Sequence, residues 1–237
     1  GSDGAIKAVF DAFVSENERV LHTSPTFAMY EVYCKTHGAI SIPLCYSRSS
    51  NGPELSAEKL VDTIIAKRPR LVCLPNPDSP TGTFFEQEVI EDVIIAALNV
   101  GSIILIDEAY HPFCNISASG LVNKFPNLVV ARTFAKAWGL AGLRIGYALA
   151  GTEITEALHK IRPMYEVNSL AVGVIEEVLE SSDEMQKSVD RLEAGKRFFL
   201  DKMQKLGFQT LSGKGNFCHV AFGRKAKIIH SELENLV

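Results

Sequence analysis

Three short apolar runs constrain this chain most: RLVCL at 70–74, SIILI at 102–106 and NLVVA at 127–131. Each is apolar at nearly every position. A strand with one wet face alternates, whereas a strand buried on both faces reads as a continuous apolar run. Such strands need a layer of helix on each side. Helical patterns supply them. AIKAVFDAFV, TFAMYEVYCKTHG, SAEKLVDTIIAKR and QEVIEDVIIAAL have helical periodicity. Gly38 gives the second a stop signal and Ser56 caps the third, in which Leu60, Val61, Ile64 and Ile65 form one apolar face. RVLHT, AISIPLC and RIGYALA are further strands. The alternation predicts a three-layer α/β/α fold with a mostly parallel sheet.

The pattern changes after Ala150. Thr152 is expected to cap a helix that ends before Pro163, and NSLAVGVIEEVLES is helical. A long helix starts near Asp183, with Met185, Val189, Leu192, Phe199, Met203 and Leu206 on one stripe, and ends at Gly207. FCHVAF reads as a strand and AKIIHSELENLV as a helix. The expected division is a large domain over 1–182 and part of a small α+β domain over 183–237.

Composition removes several function classes. The 237 residues carry a net charge of -4, so nucleic-acid binding gains no support. No apolar run is long enough to cross a membrane, and no signal peptide is visible. Six histidines show no ligand spacing for a metal. Five scattered cysteines, none in a CxxC pair, point to reduced thiols and a cytoplasmic setting. Gly213, Gly215 and Gly223 have the wrong spacing for a dinucleotide loop.

In open α/β sheets ligands sit beyond the carboxyl ends of the strands. RLVCLP runs into NPDSPTG, SIILI into Asp107 and EAYHPF, and NLVVA into Thr133 and Lys136. A lysine facing a buried carboxylate suits an aldehyde cofactor with a protonated heterocycle, pyridoxal 5'-phosphate. Lys136 forms the Schiff base and Asp107 pairs with the ring nitrogen. Tyr110 is a candidate to reach the phenolic oxygen, and Phe27 to stack on the ring. Thr133 and Arg144 hold the phosphate, and Gly1-Ser2-Asp3 precede a helix whose first N–H groups form an anion site. Singly, each residue has a plainer role: Asp107 as a cap, Lys136 as a surface cation, Phe27 and Tyr110 as core aromatics, Arg144 in an ion pair. Their joint order carries the reading.

NPDSPTG, IDEAYHPF and RTFAKAWGLAGLRIGY together resemble the class I/II, fold-type-I aminotransferases, in particular the histidinol-phosphate aminotransferase branch. The resemblance implies Lys136, Asp107 and Tyr110 as catalytic residues. It places Ser2, Asp3, Phe27, Ser79, Thr133 and Arg144 with them around pyridoxal 5'-phosphate. It implies a homodimer acting on amino acid and keto acid substrates. A decarboxylase of the threonine-phosphate type, or an inactive cofactor-binding fragment, is the alternative. Three positions depart from the family pattern: Ser79 stands where Asn is usual, Ala135 where Ser is frequent, and Gly4 where an acidic residue follows GSD. The family carries further residues at both ends, so the chain resembles a piece of a longer protein.

Overall fold

The computed structural model describes residues 1–236. Six strands form the main sheet: β1 (Arg19–Ser24), β2 (Ile40–Cys45), β5 (Leu71–Pro75), β6 (Ile103–Asp107), β7 (Leu128–Thr133) and β8 (Gly146–Ala150), in the order β2-β1-β5-β6-β7-β8. All neighbours are parallel except β7 and β8, which run antiparallel. The α/β fold with a mostly parallel sheet matches the expectation.

Successive side chains of a strand point to opposite faces, and each face has its own core. Val72, Leu74, Ile104, Ile106, Leu128 and Val130 pack beneath α3 (Ala57–Lys67) and α4 (Gln87–Asn99). Leu71, Cys73, Leu105, Val129 and Ala131 pack beneath α1 (Ser2–Phe13), α2 (Met29–Thr36) and α5 (Thr152–Ile161). Two cores explain why the three runs carry no polar alternation.

Several local expectations need correction. Ser56 caps α3, its Oγ accepting from Lys59 N at 3.2 Å, but Ile65 is exposed. Only Leu60 and Ile64 of that face are buried. Thr152 does not cap α5. Gly151 holds that position, and Thr152 begins the helix. The short polar hairpin of β3 (Ser47–Ser49) and β4 (Gly52–Glu54) has no periodic signal in the sequence.

Beyond α6 (Ser169–Leu179), α7 spans Ser182–Lys205. A small antiparallel pair, β9 (Gln209–Leu211) and β10 (His219–Ala221), follows it, then α8 (Ala226–Glu234). The expected α7 stripe is only partly covered. Val189 is buried, while Leu192, Phe199 and Leu206 are exposed. The last residue expected in the final helix, Val237, lies outside the described residues.

Candidate active site

Register sets the site. Pro75 of β5 lies opposite Asp107 of β6, which lies opposite Ala131 of β7. Three strands therefore end level, and the polar residues that follow them face one another. The helix dipole arrives from α1, whose N-terminus comes against β8. Gly146 makes that approach possible, because a Cβ there would fall on the main chain of Gly1, Ser2 and Arg132.

A cavity of about 250 Å³ opens at these ends. Its floor holds Pro75, Pro77, Ser79, Asp107 and Tyr110. Phe27 lines it from the loop after β1, Thr133 and Lys136 from the end of β7, and Ser2 and Asp3 from α1. Arg144 completes it. All nine residues singled out in the sequence meet at this one cavity.

Asp107 is buried. Its Oδ2 accepts from the Tyr30 hydroxyl at 2.8 Å and its Oδ1 from Ala109 N–H at 3.1 Å. Burial pushes its carboxyl up to about 6, and the Tyr30 and Ala109 bonds pull it back. Among the described residues no lysine or arginine forms an ion pair with it within 4.0 Å.

Lys136 sits in a tight turn after β7, in which Gly139 N–H donates to its carbonyl at 3.0 Å. Although the strand before it is buried, Lys136 itself is exposed, with Nζ 5.3 Å from the centre of the Tyr110 ring. The lysine has passed the strand end, beyond the helices that bury the sheet. Tyr110 in turn packs edge-on against Phe217, with ring centres 5.3 Å apart, and so ties the C-terminal segment to the cavity.

At the other end, Gly1, Thr133 and Arg144 converge. A Cβ on Gly1 would lie 3.4 Å from Arg144 Nη2 and 3.6 Å from Thr133 Oγ1. Arg144 adopts φ 57°, a left-handed conformation that turns the chain toward β8. Thr133 Oγ1 accepts from Ala135 N–H at 3.1 Å. The helix begins at Ser2 with Gly1 as its cap, so Ser2 and Asp3 form its first turn and do not precede it as the sequence implies. Asp3 turns its carboxylate to the Tyr33 hydroxyl at 2.7 Å. An arginine, a hydroxyl and the free N–H groups of a helix start make an anion cradle.

The sequence reading missed three polar groups around this cavity. Tyr30 is one. Asp78 is another: wholly buried, it accepts from Thr23 at 2.6 Å, Tyr46 at 2.6 Å and Thr26 at 2.7 Å. Burial pushes its carboxyl up to about 6 against those three bonds. The third is Glu108, buried beside Asp107, which takes Arg132 Nε at 2.9 Å, Ser117 Oγ at 2.9 Å and Ala118 N–H at 2.6 Å. A charged residue directly after an apolar strand was the available signal for Glu108. Tyr30 stands three residues after Phe27, one helical turn on, which was the signal for it. Among the described residues no cluster of His, Cys, Asp and Glu has metal-binding geometry, and no helix is long and apolar enough to cross a membrane.

A family model described as aminotransferase class I and II matches residues 1–235. The histidinol-phosphate aminotransferase of Thermoanaerobacter sp. (strain X514) is 35% identical over 222 residues, which are 94% of this chain and 62% of that protein. The same enzyme from Ruminiclostridium cellulolyticum is 30% identical over 218 residues, 92% of this chain and 60% of that one. The chain thus spans about three fifths of the length of these relatives. The crystal structure of histidinol-phosphate aminotransferase from Sinorhizobium meliloti, in complex with pyridoxal-5'-phosphate, superposes with a TM-score of 0.88 at 23% identity, covering 100% of this chain and 64% of that one.

Proposed function

The chain belongs to the aminotransferase class I and II family, and from that premise we propose that its cavity holds pyridoxal 5'-phosphate in an aminotransferase. The whole protein would move an amino group between glutamate and 2-oxoglutarate on one side and an amino acid or amino-phosphate such as histidinol phosphate on the other. The observation that carries this reading is the shared cavity of Lys136, a buried Asp107 without a cation, and an anion cradle.

The residues fit the cofactor. Asp107 has spare acceptor capacity, because it receives only one O–H and one N–H. The protonated ring nitrogen of a bound cofactor would give that carboxylate a cationic partner. When bound, pyridoxal 5'-phosphate supplies an aldehyde that takes up amino groups and a protonated ring that accepts an electron pair. Lys136 Nζ would be the nucleophile that holds it and then the base that carries the substrate proton. Asp107 would keep the ring nitrogen protonated. Tyr110 and Ser79 would donate to the phenolic oxygen, the serine with a shorter reach than an asparagine. Phe27 would cover one ring face. Thr133, Arg144 and the Ser2 N–H group would hold the phosphate, and Asp3 would act through its own N–H, since its carboxylate accepts from Tyr33.

The exposed apolar side chains Met164, Tyr165, Val167 and Leu170 favour a second copy of the chain as the partner. Free cysteines, Cys34, Cys73 and Cys114 among them buried, favour a cytoplasmic setting. Residues 183–237 read as belonging to a smaller domain.

The test is chemical. The chain is incubated with pyridoxal phosphate, reduced with borohydride and mapped. Lys136 is the labelled residue, and a label confined to any other lysine overturns the assignment. Asp107→Asn binds the cofactor less tightly and slows half-transamination. An unchanged rate removes Asp107 from the ring nitrogen.

A further inference from the structure

Tyr30 is fully buried on α2, and its hydroxyl donates to Asp107 Oδ2 at 2.8 Å. The Tyr30 ring meets Phe27 edge-on, with centres 5.6 Å apart, and lies 6.3 Å from the His22 ring. The other Asp107 oxygen takes Ala109 N–H at 3.1 Å. Each carboxylate oxygen therefore has one donor fixed by the fold, so the carboxylate plane cannot swing. A residue needed only to fill the space under Phe27 would not require a hydroxyl.

We propose that Tyr30 is a positioning residue: its hydroxyl clamps Asp107, aims the carboxylate into the cavity and sets the pH at which it becomes charged. The consequence for the cofactor rests on the reading that Asp107 pairs with the ring nitrogen. The clamp itself does not.

The surroundings of Asp107 make the hydroxyl decisive. Burial is the largest influence and raises its carboxyl; the Tyr30 bond is the largest opposing one, ahead of Ala109 N–H. Glu108, directly after it in the chain, opposes its charge and Lys136 favours it. Cys73 faces it from β5 as a buried thiol held well above its ordinary range, and Asp78 faces it from the loop after β5. Neither is a donor to Asp107. Tyr30→Phe keeps the ring and its contact with Phe27 and deletes one donor.

The experiment titrates the Asp107 carboxyl in the chain labelled with carbon-13 at aspartate carboxyls, by infrared difference or NMR, with Asp107→Asn to assign the signal. Tyr30→Phe moves the midpoint upward by about one pH unit, the worth of a hydrogen bond to a charged group. Tyr33→Phe, which loses the bond to Asp3, leaves it in place. An unmoved Asp107 midpoint in Tyr30→Phe overturns the proposal. Pyridoxal phosphate binding, followed by absorbance, weakens about fivefold near pH 6 and less than about twofold at pH 8.5, where both proteins are ionised. If the midpoint moves while cofactor affinity ignores it, the clamp stands and the pairing of Asp107 with the ring nitrogen fails.

Discussion

The ends of β5, β6 and β7 and the segment from α7 onward both carry strong apolar periodicity, yet they meet opposite fates. In the strands every apolar residue from Ile104 to Ile106 is wholly buried. On α7 the stripe leaves Leu192 and Phe199 exposed, and Leu206 beyond the helix end is 67% exposed. Periodicity states which face wants cover. It does not state what covers it. The strands are sandwiched by helices of the same chain, while α7 packs against its small hairpin and against Phe113 and Ala137 beside the cavity.

The ion pairs give the sharpest break between the two regions. Glu108 and Arg132 approach to 2.8 Å with Glu108 1% exposed, whereas Lys205 and Asp201 pair at 2.7 Å on the open face of α7. Removing one member of a buried pair leaves an uncompensated charge. Glu108→Ala should lose about 3–5 kcal/mol in urea unfolding. Asp201→Ala should change stability by less than about 0.5 kcal/mol. Equal losses would mean that the C-terminal segment is as tightly built as the sheet.

Core truncation gives the next largest contrast. Leu105→Ala removes a side chain packed among Val129, Cys73 and α1, and should lose about 2–5 kcal/mol. Leu206→Ala should stay within about 0.5 kcal/mol by the same measurement.

Acid dependence separates the regions next. Asp107 and Asp78 have folded carboxyls raised from 3.8 to about 6. A raised acid binds protons more tightly in the folded state. Its stabilising contribution is fully present below the unfolded value and is lost as pH rises through the folded value. Stability of the cofactor-free chain should therefore fall between about pH 4 and pH 6. Asp107→Asn should remove its share of that slope, leaving the share of Asp78, and add up to about 3 kcal/mol at pH 7 in parallel melts at the two pH values. It would stabilise the fold while impairing the site.

Glycines supply the smallest effect. Gly146→Ala drives a methyl group into the start of α1 and should cost about 1–3 kcal/mol and weaken binding of inorganic phosphate, read by calorimetry. Gly195→Ala, in open space on α7, should stabilise by about 0.5–1 kcal/mol. If both substitutions behaved alike, the close approach at Gly146 would not be what holds the anion cradle.

Sequence by itself determined much of the sheet and the membership of the cavity. The runs around Val72, Leu105 and Val129 fix their strands, because alternation and its absence are local properties of a chain. Lys136, Asp107 and Thr133 fall at strand ends for the same reason. Tertiary structure alone decided who serves them. Tyr30 reaches Asp107 across 77 positions, and Thr23, Thr26 and Tyr46 reach Asp78 across 55, 52 and 32. Those partnerships depend on β1 pairing with β5 and on β5 lying beside β6. No local period encodes that order. The exposure of Ile65, the reversal of β8 and the open position of Lys136 have the same origin: each depends on which distant element lies alongside, and an apolar or charged residue carries no record of its neighbour until the chain has packed.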